Sequence, residues 1–268
     1  MNKIPALHGV FAVNKPIGWT SRDVVNRVQN VLTKSWCAEH DLPLTKKKLK
    51  MGHGGTLDPI AEGVLVLGVG NGCKQMHEYL KGTKKYVVTA ELGKATDTYD
   101  REGAVTHQQA NVNADRATLE ALIPDFVGEE VWQKPPIAWL SDCVIYLLVR
   151  TGGKLRYSAL KMNGKKLYEY ARENVQLPKE IQSRPVSIQR IDLLRFQDKI
   201  MELSVECGGG VYMRSLVHDL ALRLGTYGHM IALKRIQQGT IVLDRDTIEL
   251  QALKSHQDII WLCQNSML

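Results

Sequence analysis

Eight residues, Gly52-His53-Gly54-Gly55-Thr56-Leu57-Asp58-Pro59, stand just ahead of the apolar stretch Val64-Leu65-Val66-Leu67-Gly68-Val69. Glycines permit tight turns and close backbone approach, and the proline biases Asp58 away from helix. The pattern therefore sets one carboxylate in a rigid turn beside a buried strand. A lone Gly-Asp turn more often caps its own backbone than carries chemistry. A catalytic reading of Asp58 needs partners elsewhere in the chain.

Composition narrows the field. The chain of 268 residues is 44% hydrophobic, enough to fill a core and too much for global disorder. Its formal net charge of +7 points to a polyanionic partner, nucleic acid first, with an ordinary basic enzyme as an even alternative. The five cysteines, Cys37, Cys73, Cys143, Cys207 and Cys263, form no C-x-x-C pair. That spacing disfavours zinc and suggests reduced thiols in an intracellular compartment. No run of eighteen apolar residues is present, so no membrane span is expected, and Met1 to Val10 lacks a signal-peptide core. Nucleus or cytoplasm is the simplest expectation, with a mitochondrial pool as an alternative.

Periodicity gives the elements. Gly9 to Val13 reads as a strand. Thr20 reads as the N-cap of a helix with Asp23 three residues on and an apolar face of Val24, Val25, Val28, Val31 and Leu32. Ser35 to Lys50 is polar and basic and reads as a solvated face or loop, with phosphate contact as its functional reading. A short helix is expected around Lys74 to Leu80, a strand over Lys85 to Leu92 and a polar loop over Gly93 to Asp100. Helices follow at Ala114 to Leu122 and Lys166 to Arg172. Ile188 to Phe196 and Met201 to Cys207 flank a turn at Asp198-Lys199, a hairpin. Arg214 to Leu224 has helical spacing with Gly225 as its stop, and Thr240 to Leu243 reads as the last strand. Interspersed helices and hairpins place the chain in the α/β (α+β) class, with a mixed, largely antiparallel central sheet flanked by helices.

Three elements could accompany Asp58. Tyr86, after Lys84 and Lys85, offers a stacking face and a phenol, although most strand tyrosines simply cover a core. Tyr212 and Arg214 follow three glycines, Gly208 to Gly210, into a helix. A cation at a helix N-terminus opposes the macrodipole, so Arg214 there suggests a specific anionic partner, with an arginine on a surface helical turn as the plain alternative. His53 could stack on bases or be a plain loop residue. Gly68 to Gly72 is glycine-rich without a nucleotide-binding order, and no metal cluster or Ser-His-Asp spacing stands out. The set suits acid/base or nucleophilic work on a substrate that brings its own reactive centre.

Taken in order, these segments resemble the TruB family of RNA pseudouridine synthases. The matching pieces are Lys15-Pro16-x-Gly18-x-Thr20-Ser21, Gly52 to Pro59 with Ala61 and Gly63-Val64-Leu65, Lys85-Tyr86, and Leu92-Gly93-x-x-Thr96-Asp97-Thr98. Gln133-x-Pro135-Pro136, Tyr157-Ser158-Ala159-Leu160-Lys161 and Glu206-Cys207-Gly208-Gly209-Gly210-x-Tyr212-x-Arg214-Ser215-Leu216 complete them. The Glu-Cys-Gly-Gly-Gly version looks most like the eukaryotic branch that makes tRNA pseudouridine-55. The resemblance implies that a uridine of the T loop is flipped out, detached from its ribose, turned and rejoined through carbon. It assigns catalysis to Asp58, base stacking and proton relay to Tyr86, and pairing with the aspartate to Arg214. Tyr212 and Leu233 become pocket residues, His53 helps open the T loop, and Lys15 and Lys85 join the substrate-binding set. The glycines around Asp58 would then leave room for the flipped nucleotide. It further implies a monomer that takes tRNA through its T arm, with messenger RNA as a second substrate and no cofactor. A non-catalytic RNA-binding or tRNA-folding protein is the competing reading.

Two departures qualify the resemblance. About nineteen residues, Ala138 to Arg156, separate Pro135-Pro136 from Tyr157, where the family runs almost directly on. They read either as a lineage-specific hairpin or as translated intron. The chain also ends soon after its last expected strand, which suggests a catalytic domain over residues 1–250, a short tail over 251–268 and no complete PUA domain.

Overall fold

A computed structural model describes residues 7–44, 49–136, 161–162, 165–166 and 183–265. The stretch Ala138 to Arg156, the motif residues Tyr157 to Leu160 and residues 167–172 of an expected helix lie outside them. In chain order the elements begin with β1 (Gly9–Lys15), α1 (Ser21–Glu39), β2 (Met51–His53), β3 (Ala61–Val69), α2 (Met76–Lys81) and β4 (Lys84–Leu92). Next come β5 (Lys94–Thr96), β6 (Val105–Gln108), α3 (Arg116–Leu122), β7 (Gly128–Gln133), β8 (Lys161–Met162) and β9 (Lys165–Lys166). The rest are β10 (Arg184–Gln197), β11 (Ile200–Cys207), α4 (Met213–Arg223), β12 (Gly228–Gln238), β13 (Ile241–Val242), β14 (Thr247–Glu249) and α5 (His256–Asn265).

The chain divides into two compact units. The first comprises Met1–Val87, Glu206–Gly210 and Ala232–Leu268. Its strands run β14-β1-β3-β12, with β2 on β3 and β13 on β12. The β1–β3 pair is antiparallel, and β3–β12 is parallel with Leu233 opposite Ala61 and Arg235 opposite Gly63. From Gly63 to Val69 strand β3 is apolar and buried because both its faces are covered. Leu65, Leu67 and Val69 pack with Phe11 and Val13 against the valine face of α1 and Leu253 and Ile259. Val64 and Val66 pack on the other side with Val10, Ala12, Met76 and Ile241. Burying each such side chain contributes on the order of 1.5–3 kcal/mol, so β3 is the rigid floor of this unit.

The second unit comprises Val88–Val205 and Val211–Ile231. Its strands follow the order β12-β4-β11-β10-β7, with β5–β6 and β8–β9 as separate two-stranded ribbons. Val88, Ala90, Leu203, Val205, Leu216 and Leu220 are among its buried core. Strands β4, β11 and β12 each contribute residues to both units.

The expected α/β class is the observed one. Thr20 caps α1 in a full capping box with Asp23. That helix continues to Glu39, so Ser35 to Glu39 is helical where the polar composition reads as loop. Strand β5 likewise occupies part of the expected loop Gly93 to Asp100. The largest omission is β12, eleven residues carrying Arg235 and Gln238 at buried positions, which disguise a strand.

Candidate active site

In the first unit four segments fix the turn around Asp58. The Ser21 hydroxyl accepts from the Leu57 amide (2.9 Å) and donates to the Leu57 carbonyl (3.1 Å). The Gly18 amide donates to the Pro59 carbonyl (2.7 Å), and the Ala61 amide closes the turn on the Asp58 carbonyl (3.0 Å). From β12, Gln238 donates to the Gly54 carbonyl (2.7 Å) and Arg235 to the Gly55 carbonyl (3.1 Å). Each bond satisfies a backbone group that would be costly to bury unpaired. At Gly54 the need for glycine comes from inside: a Cβ there would meet the Tyr79 side chain of α2 at 2.5 Å.

Arg235 is the residue that sequence reading passes over. It is 1% exposed, it donates from Nε to the Val64 carbonyl (2.7 Å), and it hydrogen-bonds the Tyr86 side chain. Gly63 lies opposite it at a positive φ of 106°, where an added Cβ would run into the Arg235 backbone. The available signals were Leu233-Lys234-Arg235 near the end of the motif series and the glycine it faces.

The electrostatics follow from burial. Tyr86 is buried, which raises its phenol pKa, and Asp58 raises it further, while the charge and hydrogen bond of Arg235 oppose the rise. The phenol therefore stays protonated at neutral pH, within electrostatic reach of Asp58. Lys15 is fully buried, and burial pulls its ammonium down to about 8, with Arg235 adding to the fall and Asp58 acting against it. That ammonium donates to the carbonyls of Pro16 (2.9 Å) and Trp19 (2.6 Å). Any influence of Lys15 on a substrate thus runs through the loop it holds. Burial, then Arg22 and Arg235, push His53 down to about 4, so its imidazole is neutral, and its buried Nδ1 has no hydrogen-bond partner among the described residues. Leu233 is buried on β12 next to the β3 entry, and Lys85 sits part-exposed on β4.

Tyr212 and Arg214 belong to the second unit. The Gln133 side chain clamps Tyr212 by both backbone groups, at 2.7 Å to its amide and 2.9 Å to its carbonyl. The Arg184 guanidinium lies over its ring, 5.1 Å from the centroid. Arg214 is buried at the start of α4. Its Nη1 lies 3.4 Å from Asp100 Oδ2 and donates to the Thr98 carbonyl at 3.1 Å. Within this unit Asp100, a residue the sequence reading left in a loop, is thus one anionic neighbour of Arg214 at the helix N-terminus. Asp100 is set in turn by the Thr98 hydroxyl (2.7 Å) and the Glu102 amide (3.0 Å).

The arrangement offers a positioned carboxylate, a protonated phenol held by a buried guanidinium and a neutral imidazole. It suits acid/base or nucleophilic steps.

Comparison with known proteins bears on the family resemblance. The model of the TruB family pseudouridylate synthase N-terminal domain matches residues 43–142 and 154–213. That of the tRNA pseudouridylate synthase B C-terminal domain matches residues 214–264. The first match skips residues 143–153, inside the nineteen-residue stretch that departs from the family pattern. Pseudouridylate synthase TRUB1 of Mus musculus is 38% identical over 247 residues, 90% of this chain and 66% of its own length. The Homo sapiens counterpart is 37% identical over 92% of this chain and 65% of its own, so the chain spans just under two thirds of both. The tRNA pseudouridine synthase B of Ureaplasma urealyticum is 34% identical over 90% of each chain. A chain from a Cbf5-Nop10-Gar1 complex shares the fold, with a TM-score of 0.62 at 23% identity over 100% of this chain and 59% of its own.

Proposed function

Because the chain belongs to the TruB family of pseudouridylate synthases, we propose that it isomerises uridine to pseudouridine in the T loop of tRNA, at position 55. The carrying observation is Asp58, held from four directions beside the buried Tyr86 phenol. In this reaction the C1′–N1 bond breaks and a C1′–C5 bond forms. The C5 proton is lost and N1 gains one, so the atoms balance without a cofactor. The target base is first extruded, at a cost of a few kcal/mol in stacking that contact with the Tyr86 ring offsets. Asp58 acts on the ribose side, where attack at C1′ and abstraction at C2′ call on the same carboxylate. Tyr86, kept protonated, supplies or relays the proton. The family resemblance gives Arg214 the role of pairing with the catalytic carboxylate, and gives Tyr212 and Leu233 the role of pocket residues. His53 and Lys85 engage the RNA around the extruded base, and messenger RNA hairpins of T-loop shape are a second substrate class.

Tritium release from tRNA labelled at uridine C5 tests this. Wild-type protein should release tritium stoichiometrically with position 55. Asp58→Asn should lower the rate by at least about a thousandfold while tRNA binding persists. Full activity in that variant would remove Asp58 from the chemistry, and tRNA binding without release in the wild type would favour the non-catalytic reading.

A further inference from the structure

A cavity of about 370 Å³ lies in the first unit along α1, lined by Arg27, Asn30, Val31, Lys34, Ser35 and Lys254. The five α1 residues recur at three- and four-residue spacing and so share one stripe of the helix. Lys254 comes from the turn before α5. Arg27, Lys34 and Lys254 are exposed, and their side chains make no ion pair or hydrogen bond among the described residues.

Of the two nearby carboxylates, Glu39 is engaged elsewhere and Asp258 acts on Lys254. Glu39 Oε2 faces His256 Nε2 at 3.5 Å and accepts from Gln257 at 3.2 Å. Asp258 Oδ2 accepts from the amides of Lys254 (2.9 Å) and Ser255 (2.8 Å). The cavity wall is itself built: the Ser35 hydroxyl is held at 2.9 Å by Nδ1 of His256, which is 3% exposed. Three cations thus share one concavity in a chain of net charge +7, and among the described residues Asp258, acting on Lys254, is the carboxylate set against them. Such a cluster is self-repelling until an anion enters it.

We propose that this cavity binds the phosphodiester backbone of the RNA substrate, as a contact separate from the Asp58 pocket. The proposal rests on the pseudouridine-synthase reading for its choice of polyanion. Arg27 and Lys34 are separated by about 10 Å of helix rise, wider than one phosphate and suited to successive phosphates of a strand. Ser21, the first residue of α1, touches Leu57 beside Asp58, and the two cations lie about 9 and 20 Å further along the axis. RNA that presents its uridine to Asp58 therefore has length to reach them.

The test is the salt dependence of tRNA binding for wild type and for the triple variant Arg27→Gln, Lys34→Gln, Lys254→Gln. All three side chains are exposed, so folding should hold, and circular dichroism checks it. The variant should bind at least about tenfold more weakly at low salt, and its slope of log K against log salt should shrink by about two. Its turnover at saturating tRNA should match wild type. An unchanged slope and affinity would overturn the proposal. So would an equal loss in the charge-matched control Arg190→Gln, Arg195→Gln, Arg223→Gln, which would mark a bulk-charge effect. A wild type that makes no pseudouridine, with the loss still confined to the α1 variant, would remove the catalytic reading and keep this surface.

Discussion

Arg235 shows how far one side chain can decide a site. Its guanidinium serves the carbonyls of Val64 and Gly55 and the Tyr86 side chain, all inside the first unit. Arg235→Met keeps most of the volume and strands those partners, so urea denaturation should show a loss of about 3 kcal/mol or more. Lys234→Met, one residue away, breaks only a 3.5 Å exposed pair with Glu62 and should cost less than about 1 kcal/mol. The turn that carries Asp58 could be read from sequence because turn chemistry is local: three glycines, an aspartate and a proline act on the residues beside them. Tyr86 could be read from the two-residue alternation of its strand. Arg235 could not, since a charge in a strand normally faces water and only the distant carbonyls it satisfies explain its burial. Asp100 was hidden for the same reason, its partner Arg214 being far along the chain.

Among the elements, the β10–β11 hairpin was legible down to its two-residue turn. Asp198 and Lys199 both adopt positive φ, 50° and 68°, as the twist of a tight hairpin requires. Lys199 is ill suited to that region, so Lys199→Gly should stabilise the protein by up to about 1 kcal/mol, read as a higher urea midpoint at unchanged slope. The exposed bond from Lys199 Nζ to the Ala110 carbonyl is a small counterweight. Helix α1 was legible at its capped start and not at its end, because no glycine stop follows and the closing turn is held by packing. There Trp36 stacks on His40, 3.8 Å between ring centroids. Strand β12 was illegible as a strand because its buried positions include an arginine and a glutamine that make hydrogen bonds to backbone carbonyls.

For the whole molecule, acid stability should carry two opposed contributions. His53 has its folded pKa lowered to about 4 from an ordinary 6.5. Between those values the unfolded chain binds the proton and the folded chain does not, so this term raises stability as pH rises from 4 to 6.5. Asp219 has its folded pKa raised by burial to about 6 from 3.8. There the folded chain binds the extra proton, so this term lowers stability as pH rises through 3.8 to 6. His53→Gln should tilt the stability–pH profile downward across that window, and Asp219→Asn should tilt it upward. The latter should stabilise the protein at pH 7 by on the order of 1 kcal/mol, since the carboxyl is partly solvated. Thermal melts at matched ionic strength from pH 4 to 7 would show both tilts. The anchoring of the Asp58 turn bears on transplantation. Its supports come from β1's exit loop, the first residue of α1 and two side chains of β12, separated by up to 184 positions in sequence. Grafting residues 52–59 onto another scaffold would carry the carboxylate across and leave its geometry behind; the smallest portable unit is the lattice of distant carbonyl partners, not the octapeptide.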